Sequence, residues 1–159
     1  MRTLFAVTAL VALFASPHTL TGQSKEPWFG TWRLNLAKST ADRDARFKRM
    51  TTKIEPWEGG LKVTYDLVGV RGGLTHMEWT GKFDGKDYAV QGVDYVLTNA
   101  YSRVNDRSYQ ITIKVDGVVN ATARVVISPD GDTLTTLTTG RNSQGNTVET
   151  TAVYDRLRP

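Results

Sequence analysis

The chain has 159 residues, a net charge of +4, 40% hydrophobic residues and no cysteine. That length holds one domain around one core, and the lack of cysteine excludes thiol nucleophiles, iron–sulfur clusters and cysteine zinc sites. The small positive surplus is spread along the chain, so it leaves none of the clustered basic footprint that nucleic-acid binding needs.

At the amino terminus, Arg2 precedes an apolar and small-residue run from Leu4 to Ala15. The run is too short to span a bilayer, which takes about 20 residues. A basic start, a short apolar stretch and a small-residue exit describe a secretory signal peptide. Gly22-Gln23-Ser24 is the preferred exit, with cleavage before Lys25; a cut after Ala15 is the fallback, and an uncleaved anchor is the alternative. No cysteine follows the run, which excludes the usual bacterial lipid anchor. The expectation is a signal peptide over 1–24 and an exported domain over 25–159, periplasmic or extracellular, with no transmembrane segment after processing.

The domain opens on WFGTWRLNLAKS, residues 28–39, which sets three large aromatics around Gly30. A first strand is predicted over 29–37. Thr40 then caps a turn or two of helix through residues 41–48, the only helical signal in the chain. Arg43, Arg46, Lys48 and Arg49 are interrupted by Asp42 and Asp44 and read as a solvated face.

From residue 50 onward turn signals recur at near-regular intervals: Gly59-Gly60, Gly72-Gly73, Asp84-Gly85, Asn105-Asp106, Asp116-Gly117, Asp130-Gly131 and the stretch from Asn142 to Asn146. Asp-Gly and Gly-Gly supply the positive φ that tight hairpins require. Between them, segments rich in Val, Ile, Thr and Tyr alternate in period two. Leu61, Val63, Tyr65 and Leu67 share one face, and Tyr109, Ile111, Ile113 and Val115 share another. Such alternation marks antiparallel strands with one wet face. Strands are predicted over 50–57, 61–68, 74–83, 87–91, 93–104, 108–115, 118–127, 133–139 and 147–157, which makes ten with the first. Consecutive hairpins form a meander, and closing it into a ring removes both exposed edges. The predicted fold is therefore an all-β, up-and-down antiparallel barrel of about ten strands, with eight as the alternative count, and one short helix after the first strand. A two-layer sandwich is the competing solution, but it usually needs longer crossovers than the one visible here.

FGTWRLN resembles the first-strand motif of the calycins, the lipocalins and fatty-acid-binding proteins, and AVYDRLRP at the other end resembles the calycin last strand, where a basic residue lies across the tryptophan. The chain is also similar to small exported bacterial proteins with a Gly-Thr-Trp-x-Leu-Asn start. The resemblance implies a barrel closed by Gly30, Trp32 and Arg156. The residues themselves support this, because Gly30 lets the strand bend where a Cβ would crowd it, and Arg156 can stack its planar guanidinium on the Trp32 indole. Fatty-acid-binding proteins hold the ligand carboxylate with an Arg-x-Tyr pair on the final strand. Here the matching residues are Ala152-Val153-Tyr154, so the tyrosine is present and the arginine is not.

If the alternating apolar faces point inward, the interior is greasy with a few phenols. Tyr65, Met77, Trp79, Tyr101, Tyr109 and Tyr154 are the candidate ligand contacts, joined by Arg103 and Arg124 if either turns inward to meet an acidic group. The alternative is that both arginines point to water and the tyrosines fill a solid core. Catalytic signals are thin. His76 is the one histidine after residue 24 and falls on the face opposite Met77 and Trp79, while Asp84, Asp87, Asp116, Asp130 and Asp132 sit in or beside turns. No catalytic residue, metal ligand or cofactor is assigned. The expected function is non-catalytic binding of a small apolar or amphipathic ligand by an exported, monomeric barrel that takes no nucleic acid. The alternative is a packed barrel that contacts protein or the cell envelope through Trp28, Trp57 and the 141–146 loop, with an enzyme a distant third.

Overall fold

The period-two segments become ten strands that pair in one continuous antiparallel ring. The computed structural model describes residues 25–40, 47–142 and 144–158. The expected signal peptide over 1–24 and the cations Arg43 and Arg46 lie outside the described residues. The strands are β1 (Gly30–Leu34), β2 (Phe47–Trp57), β3 (Gly60–Gly69), β4 (Leu74–Gly81), β5 (Asp87–Gln91), β6 (Leu97–Asn105), β7 (Ser108–Val115), β8 (Val118–Ile127), β9 (Thr133–Arg141) and β10 (Thr147–Leu157). Each pairs with its neighbour in sequence, and β1 pairs with both β2 and β10, so the barrel is closed and up-and-down.

Local chemistry explains where the strands depart from expectation. The first ends at Leu34 rather than residue 37, because the Asn35 side chain accepts from the Lys38 amide and folds Leu36–Lys38 into one 3-10 turn. Asn residues offer the backbone such an alternative to the ladder. Of the helix expected over 41–48, residues 41–46 lie outside the described residues, and Phe47 and Lys48 belong to β2, with Phe47 opposite Gly69. The sixth strand starts at Leu97 rather than residue 93, since Gly92, at φ 93°, turns the chain into a bend.

Two seams matter most for the ring. At the closing seam, Thr31 lies opposite Leu157 and Trp32 opposite Arg156. The Arg156 side chain donates to the carbonyl oxygens of Gly131, Phe29 and Pro27 at 2.6, 2.8 and 2.6 Å. By contrast, the β4–β5 seam is short, with only Glu78 opposite Gln91 and Trp79 opposite Val90.

One end of the barrel is solid. Trp28, Trp32, Trp79 and Tyr101 are each 0% exposed, and burying rings of this size removes roughly 150–250 Å² each from water, about 4–6 kcal/mol of transfer free energy apiece. Trp28 meets Phe83 and Tyr109 edge-on, both at 5.3 Å between centroids, and its carbonyl accepts the Trp32 indole N–H at 2.9 Å. Trp28 and Trp32, two of the three aromatics that open the domain, are thus parts of a plug. Among the described residues no helix is long and apolar enough to cross a membrane.

Candidate binding cavity

Above the aromatic plug the interior is hollow. A cavity of about 240 Å³ lies among the inward residues of β2 to β10, and a second hollow of about 300 Å³ lies at the far rim, between the end of β1 and the tops of β8, β9 and β10. The two share Thr138 in their walls. The cavity exists because its large side chains sit low: Trp79 and Tyr101 stack at 3.9 Å, and Tyr101 stacks on Tyr109 at 5.3 Å, so the ring planes fill the base. Higher in the barrel the inward positions carry mostly Val, Ile, Leu, Met and Thr, with Asn99 and the phenols Tyr65 and Tyr154 among them, and a gap is left between these side chains.

Tyr65, Met77, Tyr109 and Tyr154 line this cavity. Trp79 and Tyr101 do not; they form the packed layer under it, although the Tyr101 hydroxyl lies 3.2 Å from that of Tyr65. Neither arginine lies in the cavity wall. Arg103 shares the inward face of β6 but reaches the plugged end, where its guanidinium covers Trp28 at 4.7 Å and Phe83 at 5.5 Å and pairs with Glu26. Arg124 is on the outer face, exposed, because Ala123, Val125 and Ile127 take the inward positions of β8. The idea of an inward arginine meeting an acidic ligand is therefore corrected for both.

Further wall residues escaped the sequence reading: Met50, Thr52, Asn99, Thr136 and Thr138 among them. Period two could have found them. Asn99 shares a face with Tyr101, Thr52 with Ile54, and Thr136 with Leu134. On β9, however, the pattern misleads, since Leu137 is 47% exposed while the threonines on either side point inward.

The polar chemistry of the cavity is neutral. Burial pushes the phenols of Tyr65 and Tyr154 up, and those of Tyr101 and Tyr109 well above the ordinary tyrosine range. Desolvation is the main cause at each. The Tyr154 hydroxyl rests against the Met50 sulfur at 3.4 Å, a weak acceptor. His76 lies outside the barrel, exposed, 2.7 Å from Asp66.

No protein-family model and no curated protein sequence matches the chain. In three dimensions it is similar to zebrafish ileal bile acid-binding protein, seen in a crystal structure complexed with cholic acid. The TM-score is 0.52, with 13% of residues identical, and the alignment covers 82% of this chain and 99% of that one. The two share a closed antiparallel barrel fold. At that identity the likeness is one of fold, and it agrees with what the two chain ends imply.

Proposed function

We propose that the protein is an exported, non-catalytic carrier whose barrel binds a small apolar or amphipathic molecule. The observation that carries this reading is the hollow itself: an apolar-walled cavity, with a few hydroxyls, above a solid base. Interiors normally pack densely, and a void of this size forfeits contacts unless something fills it. The structural neighbour with cholic acid in its own complex supports the reading, as does a cavity wall made of apolar, hydroxyl and amide side chains. None of those side chains is an effective general base or activated nucleophile.

The carrier is tested by titrating a panel of lipophiles against intrinsic tryptophan emission and against a bound apolar dye. Saturable quenching or displacement is expected, and its absence across the panel would retire the carrier. Export is tested by sequencing the amino terminus of the secreted or periplasmic protein, expected to begin at Lys25. An intact Met1 confined to the cytosol would overturn it.

One observation favours a second reading, contact with protein or the cell envelope through the loops. Trp28, an expected anchor, is buried in the plug, but Trp57 is 45% exposed, and the hairpin loops at the open rim carry exposed Val70, Leu74, Tyr95, Val96 and Val118. Apolar side chains clustered at one end mark interaction surfaces. Co-sedimentation with lipid vesicles that vanishes when Leu74 and Val96 become serine would support envelope contact.

A further inference from the structure

The cavity wall carries two kinds of information about what fills it. First, among the described residues none of its side chains is Asp, Glu, Lys, Arg or His. The nearest candidate cations belong elsewhere: Arg103 covers the plug, Arg124 faces water, and Arg141 borders only the outer rim hollow. Among the described residues, an ionised group entering here would lose its water with no opposite charge in the wall to meet it, which is strongly unfavourable. Second, the wall contains hydrogen-bonding capacity that the fold leaves unused. Asn99 and Thr52 are each 7% exposed, and neither Asn99 Oδ1 nor Thr52 Oγ1 has a hydrogen-bond partner among the described residues. Buried polar atoms are nearly always paired. An unpaired amide oxygen accepts and cannot donate, so what it lacks is a donor. Thr136 and Thr138 add hydroxyls to the same wall.

We propose that the cavity is built for a small, uncharged lipophile bearing a hydroxyl group, which turns the closed-off Asn99 amide or Thr52 hydroxyl toward it and donates to Asn99 Oδ1 or hydrogen-bonds Thr52 Oγ1, and that it rejects ionised carboxylates. This rests on the carrier reading and narrows it to a ligand class. At about 240 Å³ the space falls below the usual 300–1,000 Å³ of drug-sized sites, so the ligand is a short chain or a single ring system. Its apolar part packs on Met77, Val90 and Ile113, and its hydroxyl meets the amide or the threonines.

The test uses 1-decanol and decanoate, matched in chain length, competing with an apolar dye on the purified protein at pH 8 and at pH 4.5. Decanol is expected to bind at least about 100-fold more tightly than decanoate at pH 8. The gap should shrink roughly tenfold per pH unit toward the pKa of the acid, because only its neutral form enters. At least one of Thr52→Val and Asn99→Leu, made separately, should lower the decanol-to-dye affinity ratio about 5- to 20-fold, as the loss of one buried hydrogen bond implies. Decanoate binding as tightly as decanol at pH 8 would overturn the ligand class and leave the carrier standing. So would decanol binding that neither substitution alters, whereas failure of dye and both chains to bind would overturn class and carrier together.

Discussion

The guanidinium of Arg156 lies over the indole of Trp32, its central carbon 4.1 Å from the ring centroid, across the seam where the first strand meets the last. The stack alone is worth about 0.5–2 kcal/mol, and the three carbonyls that Arg156 also serves add charge-assisted hydrogen bonds. Trp32→Ala should lower stability by about 3–5 kcal/mol. Arg156→Ala should cost about 2–3 kcal/mol, discounted because the head is partly solvated. Arg156→Lys should fall between Arg156→Ala and the native protein, since an ammonium cannot reproduce the planar fork. Urea denaturation measures all three, and a negligible loss for both alanine variants would mean the seam is held by its strand ladder alone.

Gly30 belongs to the same seam. Its φ is 146°, and a Cβ there would strike Nη1 of Arg156. Gly30→Ala should therefore cost about 2 kcal/mol, partly by evicting the guanidinium. In the Gly30→Ala/Arg156→Ala double variant the losses should be clearly less than additive. Full additivity would show that the glycine serves only its own backbone.

Trp79 spans the short seam between β4 and β5. Its indole N–H is shared between the carbonyls of Tyr88 and Asn99, each at 3.2 Å, tying β4 to both β5 and β6. Trp79→Phe should keep the stack on Tyr101 and lose the N–H, costing about 1–3 kcal/mol. Faster amide exchange in β5 should accompany the loss. Unchanged exchange there would mean that the indole packs without clasping.

The buried phenols set an alkaline limit. Tyr65, Tyr101, Tyr109 and Tyr154 all have folded pKa values above the ordinary 10.0. Groups raised in the folded state contribute their stability in full below the unfolded pKa and lose it as pH climbs through the folded one. Each phenol then removes about 1.4 kcal/mol per pH unit above about pH 10. For a domain of about 5–15 kcal/mol, unfolding should come within about one to three units of that point. Phenolate absorbance for these residues should appear together with loss of the β-sheet circular dichroism signal. Their ionisation in an intact barrel would contradict the burial.

Arg124 offers a contrasting expectation. As an outward side chain opposite Gln110, Arg124→Ala should change stability by no more than about 0.5 kcal/mol and leave lipophile affinity intact. A tenfold loss of affinity would place it in the site after all.

Most of the fold was legible because β alternation and turn chemistry are local. Tyr109 to Val115 and the Asp116-Gly117 turn identify themselves, and the predicted β5, β7, β8 and β10 boundaries coincide with the observed strands. The closing contact of Trp32 with Arg156 was legible through the motif at each chain end. What the sequence did not yield depends on height in the barrel rather than on face. Tyr65 and Tyr101 share the inward side, yet one lines the cavity and the other floors it, and stagger between strands decides which. Arg103 likewise has the inward parity but lies a full layer too low to meet a ligand. Asn99 and Thr52 have the inward parity of Tyr101 and Ile54, but their polarity does not mark them as wall residues, so only the parity of their neighbours places them there.

A closed ring offers no free ribbon border to a second chain, but the two-residue join between β4 and β5 leaves the first half of β4, Leu74 to Met77, unladdered on that side. The bend at Gly92 covers only its His76–Met77 end, where the glycine backbone presses so closely on the His76 carbonyl that any side chain there would collide with it. Displacing that bend would extend the bare stretch through His76 and Met77 to the Glu78–Gln91 pair and lengthen the edge open to a second chain. Damage at Gly92 would then be read in turbidity and oligomer formation before it is read in melting temperature.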